Sequence, residues 1–121
     1  MLDCLVVGLG GFIGSILRYL IGLIGVDKTQ LPMKTLIINI IGSFVIGLVV
    51  AIGLKNKDLD YRWILFFKVG ICGGFTTFSS FAFENFQLFN KGEVLIGGIY
   101  ISLSVVLSIL AIVLSQYLVG N

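Results

Sequence analysis

The chain has 121 residues, of which 58% are hydrophobic and only 12% are charged, and its formal net charge is +2. A soluble domain of this size could not bury so much apolar surface, so the composition is typical of an integral membrane protein. The weak positive charge is spread thinly, which argues against a nucleic-acid partner, and the absence of histidine removes the commonest metal ligand and the usual general base. An enzyme with an organic cofactor is therefore not expected.

Four apolar segments are long enough to cross a bilayer as helices, which takes roughly 20 residues each. We expect an all-α integral membrane protein in which residues 1–121 form one domain. The spans are predicted at residues 2–25, 33–54, 62–89 and 94–118. The first is interpreted as a retained span and not a signal peptide, because Asp3 stands where a basic region would be expected and no small-residue cleavage site follows.

The first span contains small residues four positions apart and one arginine. Gly10 and Gly14 form one such pair and Gly11 and Ser15 the other, a spacing that lets helix backbones approach closely. Arg18 is costly within a membrane and is expected to face a cavity, a partner or the interface. It either snorkels to the headgroups or forms an electropositive vestibule that attracts anions.

The second span has a single strongly polar side chain, Asn39, between Thr35 and Ser43. Its amide carries two N–H donors and one acceptor, and burying it without partners would be costly. Two interpretations stay open: hydrogen bonding between helices, and donation to a permeating anion.

The third span is expected to be broken in its middle. Gly73 and Gly74 each lower helix stability by roughly 1 kcal/mol relative to Ala. Four hydroxyl residues follow them, namely Thr76, Thr77, Ser79 and Ser80. Irregular backbone at membrane depth is tolerated only where protein or a water-filled path satisfies it, so the segment predicts a pathway wall with an ion site at the midplane. A mild kink healed by the hydroxyls is the alternative.

Aromatic rings and hydroxyls follow the predicted break. Phe78 and Phe81 share a face if the helix resumes, and the positive edges of their rings could solvate a small anion. Tyr100, Ser104 and Ser108 recur every fourth residue of the fourth span and form a stripe of hydroxyls. The stripe predicts a polar track, although close helix packing would also explain the two serines.

Two charged residues of the third span have no assigned role. Glu84 is the one carboxylate predicted to lie within the hydrocarbon region. It could snorkel, pair with Arg18 or a lysine, or line a pore mouth. Lys68, just before the predicted break, is not placed.

The basic residues outside the spans are divided equally between the two membrane faces. One face receives Lys28, Lys34 and Lys91, and the other receives Lys55, Lys57 and Arg62. Orientation normally follows an excess of Lys and Arg in cytoplasmic loops. We therefore expect insertion in both orientations and an antiparallel, dual-topology dimer; a single orientation set by other features is the alternative.

Three motifs together resemble the CrcB/Fluc family of small fluoride channels. They are GGFIGSILRY at residues 10–19, TLIINIIGSF at residues 35–44 and GICGGFTTFSSF at residues 70–81, one in each of the first three spans. Chain length and the number of spans are also similar to the family. The departures are mild: Ser15 stands where Ala is expected, and Ser80 stands where Thr is expected.

The resemblance implies a passive, fluoride-selective channel that exports fluoride from the cytoplasm and so protects against fluoride toxicity. It implies a multi-pass protein of the prokaryotic cell (inner) membrane, and an antiparallel homodimer with two separate pores, each built from both subunits. The implied partners are fluoride, a second copy of the chain and the lipid bilayer.

The resemblance also assigns roles to individual residues. Phe78 and Phe81 supply ring edges, and Asn39 donates to the ion. The remaining pathway residues are the polar track, namely Tyr100, Ser104 and Ser108, with Thr35 added to it. The backbone carbonyls of Gly73 and Thr76 are implied to hold a structural Na⁺ on the dimer axis.

Two other functions compete with this one. A small multidrug-type, proton-coupled exporter also has four spans, but it needs a membrane-embedded carboxylate, and the first span offers only Asp3 at its edge. A non-transporting membrane assembly subunit would use its polar residues for helix association alone.

Overall fold

The computed structural model describes residues 1–25 and 28–120, and residues 26–27 and 121 lie outside it. The described part is helical and contains no β-strand. Four helical segments are long and apolar enough to span a membrane, namely Leu2–Gly22, Met33–Lys55, Tyr61–Asn90 and Val94–Gly120. The predicted all-α class with four apolar spans is confirmed.

The first, second and fourth spans are single helices, α1 (Leu2–Gly22), α2 (Met33–Lys55) and α6 (Val94–Gly120). The third span is divided. It begins with α3 (Tyr61–Ile64), continues as a π-helical segment (Leu65–Ile71) and α4 (Cys72–Phe75), and resumes as α5 (Phe78–Asn90). We call face A the membrane side that carries the start of α1 and the loop at 56–60. Face B carries the start of α2 and the loop at 91–93.

Thr76 and Thr77 separate α4 from α5. Their backbones are extended, with φ/ψ of −79/156° and −147/119°. Thr77 caps α5, because its side-chain oxygen accepts a hydrogen bond from the N–H of Ser80 at 3.1 Å. Gly73 and Gly74 are themselves helical, so the extended backbone lies just beyond the glycine pair.

Close backbone contact joins α1 to the third span. A Cβ placed on Gly10 would lie 2.5 Å from the carbonyl oxygen of Phe66 and 2.8 Å from the Cα of Gly70. A Cβ on Gly14 would overlap the carbonyl oxygen of Ile71. Any larger residue would push the helices apart, which confirms that these glycines serve helix packing.

α2 and α6 run parallel and form the second half of the bundle. Towards face A, Gln116 Nε2 donates to the carbonyl of Gly47 at 2.8 Å, and Gly47 packs against the fully buried Ser115. Towards face B, Thr35 and Tyr100 bind one and the same carboxylate, that of Glu84. The two halves of the bundle meet around the interrupted part of the third span.

Polar contacts hold the ends of the spans at the two faces. At face A, Asp3 accepts hydrogen bonds from Tyr61 Oη at 2.7 Å and from Arg62 Nε at 3.0 Å. At face B, Lys34 Nζ donates to the carbonyls of Gly22 and Gly25 at 2.9 and 3.1 Å, which satisfies carbonyls at the end of α1. These exposed contacts contribute little stability, but they align the helix ends.

Candidate functional site

Asn39 binds the backbone where the third span is interrupted. Its Nδ2 donates to the carbonyl of Thr77 at 3.2 Å, and its Oδ1 accepts from the N–H of Thr77 at 2.9 Å. The side chain thus replaces the helical partners that Thr77 lacks. The amide has two N–H donors, and the second makes no hydrogen bond within the described residues. Asn39 therefore joins two helices and still has one N–H to offer.

Two further side chains satisfy backbone groups beside the interruption. Arg18 reaches from α1, and its Nε donates to the carbonyl of Gly74 at 3.1 Å. Thr76 Oγ1 donates to the carbonyl of Cys72 at 2.8 Å. The guanidinium is thus half-buried and bound to the backbone beside the interruption.

The carbonyl oxygens of Gly73 and Thr76 differ from neighbouring carbonyls in their hydrogen bonding. Among residues 1–25 and 28–120, no N–H or side chain donates to either oxygen, because Thr77 N turns to Asn39 and Ser80 N turns to the Thr77 side chain. Unwound backbone carbonyls of this kind coordinate Na⁺ in other membrane proteins. The chemistry of these two oxygens fits a hard monovalent cation.

A groove of about 430 Å³ lies beside the interruption, between α2, the third span and α6. No carboxylate lines it; its polar walls are amide, hydroxyl and backbone groups, together with Lys68. It brings together seven of the predicted site residues: Asn39, Gly73, Thr76, Phe78, Phe81, Ser104 and Ser108. Such a wall offers hydrogen-bond donors without a negative charge, which suits an anion.

The hydroxyl of Ser104 is an unused donor in the wall of this groove. Ser104 is only 6% exposed, and its Oγ has no hydrogen-bond partner within the described residues. A buried polar group without a partner costs free energy. An anion bound in the groove would give the Ser104 hydroxyl the hydrogen-bond acceptor that it lacks.

The aromatic rings of Phe78, Phe81 and Tyr100 follow one another. The Phe78 and Phe81 centroids are 5.7 Å apart, and Phe81 meets Tyr100 edge to face at 5.1 Å with an interplanar angle of 67°. Phe78 is 80% exposed. In a single chain, one side of the groove and most of this ring are therefore uncovered.

A second cavity, of about 510 Å³, lies towards face B. Its lining includes Arg18, Lys34, Thr35 and Glu84. Thr77 lines both this cavity and the groove. The interruption and its bond to Asn39 therefore form the partition between the two spaces.

Glu84 is held by neutral hydroxyls. Thr35 Oγ1 donates to Oε1 at 2.6 Å, and the Tyr100 O–H donates to Oε2 at 2.7 Å. Within the described residues Glu84 forms no ion pair with Arg18 or with a lysine. Of the three alternatives considered for Glu84, lining the mouth of a cavity agrees with this geometry.

Tyr100, predicted as part of the hydroxyl stripe, does not line the groove with the two serines of that stripe. It is fully buried, at 0% exposure, and lines neither cavity, whereas Ser104 and Ser108 line the groove. Its hydroxyl points to Glu84 because that carboxylate is the nearest strong acceptor for a buried phenol.

Sequence reasoning missed the contacts among Thr35, Glu84 and Tyr100. The sequence did contain one indication of these contacts, which is that the three residues lie at similar depths in their spans. Thr35 lies near the start of α2, Tyr100 lies about two turns into α6, and Glu84 lies in the middle of α5, all on the face B side of the interruption. A half-buried carboxylate within a span requires donors, and these two hydroxyls were available at a similar depth.

Comparison with known proteins gives consistent results over nearly the whole chain. A family model described as CrcB-like protein, Camphor Resistance (CrcB), matches residues 5–116.

Curated relatives named Fluoride-specific ion channel FluC are also similar to this chain. The relative from Azobacteroides pseudotrichonymphae is 40% identical over 114 residues, covering 93% of this chain and 91% of its own. The relative from Granulibacter bethesdensis is 40% identical over 121 residues, with 98% and 95% covered. FluC 1 from Nitrobacter hamburgensis is 44% identical over 112 residues, with 90% and 88% covered.

Proposed function

The chain belongs to the CrcB family, and we infer from this membership that it is a fluoride-specific ion channel. It is a multi-pass membrane protein and not an enzyme. Passive export of fluoride from the cytoplasm protects a cell against fluoride toxicity. The observation that carries this function in the structure is the groove, which presents unused neutral donors and no carboxylate at membrane depth.

The hydrogen-bond donors beside the interruption are neutral, and this suits fluoride. Fluoride is small and strongly hydrated, so several donors must replace its water at once. Conduction also requires that the ion leave as easily as it enters, so each site must bind weakly. The free N–H of Asn39, the hydroxyls of Ser104 and Ser108 and the ring edges of Phe78 and Phe81 are donors of this kind.

An antiparallel homodimer with two pores is the assembly that we propose. Phe78 is 80% exposed and the groove is open on one side, so a second copy is needed to enclose an ion there. The equal division of basic residues between faces A and B supports insertion in both orientations. Each pore would then contain residues of both subunits, in the inner membrane of a prokaryotic cell.

A structural Na⁺ is proposed at the carbonyls of Gly73 and Thr76. Support comes from the two oxygens that no described group uses, at a place where Asn39 and Arg18 satisfy the adjacent backbone. Two oxygens are fewer than a hard cation takes, so the equivalent pair of a second copy would complete the set. A bound ion would supply positive charge between the carbonyl oxygens of Gly73 and Thr76 and those of the second copy.

We assign the cavity towards face B as the vestibule. Arg18 and Lys34 give it positive charge, and both are held in place by backbone carbonyls. An anion drawn into this cavity reaches Thr77 and Asn39, beyond which the groove begins. Thr35 and Glu84 line the same entrance.

Family membership separates the channel from the two competing functions. Neither Asp3 nor Glu84 offers the first-span carboxylate of a proton-coupled drug exporter. Asp3 lies at the start of α1, at the face A edge of the span, and binds Tyr61 and Arg62, and Glu84 lies in α5. A non-transporting assembly subunit would have no reason to keep the Ser104 hydroxyl buried without a partner.

Fluoride efflux from reconstituted vesicles tests the function directly. Vesicles loaded with potassium fluoride and containing the purified protein should release fluoride to an ion-selective electrode once a potassium ionophore removes the charge imbalance. Matched vesicles loaded with chloride should retain it, and protein-free vesicles should retain both. Retention of fluoride by vesicles that contain protein of the correct elution volume would refute the channel.

A further inference from the structure

Lys68 is a charged side chain within a membrane span that the pathway described above does not use. It lies in the middle of the π-helical segment, seven residues after Tyr61, which is about 10 Å along the helix from face A. It is exposed and lines the groove. Within residues 1–25 and 28–120 it forms no ion pair or hydrogen bond. Ionisable residues within a span generally mark an ion or substrate pathway.

The fold directs Lys68 towards the groove and away from α1. Gly70 packs against Gly10 with no room for a Cβ, so that side of the segment is closed. Residues two positions apart on a helix point to nearly opposite sides, which places Lys68 across the helix from this contact. Gly73, five positions further along the chain in α4, lines the same groove as Lys68.

The charge of Lys68 is separated from the other cations of the pathway. Arg18 and Lys34 line the cavity towards face B, and the interruption at Thr77 stands between that cavity and the groove. Lys68 lies on the face A side of the interruption. The groove contains no carboxylate to neutralise it.

We propose that Lys68 attracts small anions into the groove from face A, as Arg18 and Lys34 do from face B. The proposal rests on the channel function proposed above and adds a second electropositive entrance to it. Lys68 raises the anion concentration near Ser108 and Asn39 by long-range attraction. It does not hold the ion, because its flexible ammonium lies short of the midplane donors and remains hydrated.

The test compares fluoride efflux from vesicles for the wild type, Lys68→Met, Lys68→Arg and a matched control, Lys57→Met. Lys57 is an exposed lysine of the loop at face A, so its substitution changes the net charge equally without altering the groove. At about 10 mM ionic strength, where charges act over about 30 Å, Lys68→Met should lower the efflux rate about five-fold. At about 1 M salt, where the range falls to about 3 Å, the difference should nearly vanish. Lys68→Arg and Lys57→Met should match the wild type at both salt concentrations.

Three results would overturn the proposal while leaving the channel function intact, since the wild type would still release fluoride. The first is equal efflux for Lys68→Met and wild type at low salt, as expected if the ammonium reaches the lipid headgroups. The second is a loss that is independent of salt and shared by Lys68→Arg, which would indicate packing. The third is aggregation of Lys68→Met together with a second uncharged variant, Lys68→Gln, during purification, which would also indicate packing. Absence of efflux in the wild type would instead refute the channel function itself.

Discussion

The third span has one face that meets α1 and another that borders the groove. The two faces differ in how closely other groups approach the backbone. On the α1 side, Gly10 and Gly14 bring two helices into direct backbone contact, and a single methyl group would not fit. On the groove side the backbone carries Gly73, whose hypothetical Cβ would meet nothing within 4 Å. One segment is thus sealed on one face and open on the other.

This difference explains how an interrupted helix can be stable at membrane depth. The sealed face holds the π-helical segment and α4 in register by van der Waals contact with α1, which is the main force between helices in lipid. The open face can then leave the hydroxyl of Ser104 and the carbonyls of Gly73 and Thr76 without protein partners. Stability and function are provided by opposite faces, so substitutions on each should have separable effects.

The largest effect is expected from breaking the sealed face. Gly14→Ala should destabilise the fold by at least about 1–3 kcal/mol, because its Cβ would overlap the carbonyl of Ile71 and lie 2.9 Å from the N–H nitrogen of Phe75. Thermal unfolding in detergent, followed by the monodisperse elution peak, measures the loss. Gly8→Ala is the matched control on the same helix, because nothing lies within 4 Å of its Cβ. Equal stability of the two variants would contradict the distinction between the faces.

Substitution of Asn39 on the open face should affect stability less than Gly14→Ala does, but it should affect fluoride flux strongly. Asn39→Asp removes both N–H donors, including the bond to the Thr77 carbonyl, and places a negative charge beside the groove. Fluoride efflux should fall at least about 100-fold while the protein remains folded. Asn56→Asp, at the exposed end of α2, makes the same chemical change outside the groove and should leave efflux unchanged. Wild-type efflux in Asn39→Asp would remove Asn39 from the pathway.

The smallest effect is expected from Ser104→Ala on the open face. It separates stability from function, because the flux should fall while the stability does not. Ser104→Ala removes a buried hydroxyl that has no protein partner, so the thermal unfolding temperature should stay constant or rise. Efflux should fall by about three- to ten-fold if the hydroxyl donates to the ion. Ser102→Ala is the control, since that exposed serine already donates to the carbonyl of Gly98 at 2.9 Å. A destabilised Ser104→Ala with normal efflux would make Ser104 a packing residue.

The sequence predicted the sealed face well and the open face less completely. The spacing of Gly10 and Gly14 was enough to predict close packing, because helix periodicity puts residues four apart on one side. The gathering of Asn39, Ser104 and Ser108 in one groove agrees with the hypothesis made from their chemistry. The hydrogen-bond partner of Asn39 could not be predicted, because the Asn39–Thr77 pair joins residues 38 positions apart.

Two details of the site also depended on contacts that no local pattern encodes. The extended residues are Thr76 and Thr77 and not the glycine pair, because Gly74 is needed as a helical contact with Gly11. Tyr100 follows the four-residue spacing of the serines, yet its longer side chain reaches Glu84 behind the groove.

The sequence alone determined that this chain crosses a membrane four times, and its three motifs pointed to a fluoride channel. Hydrophobic length and residue type are local properties, so they can be read without knowledge of neighbours. Only the tertiary structure decided which backbone groups remain free, which carboxylate is held by hydroxyls, and where the charge of Lys68 lies. Those features depend on the distance and depth at which separate helices meet, and packing alone sets them.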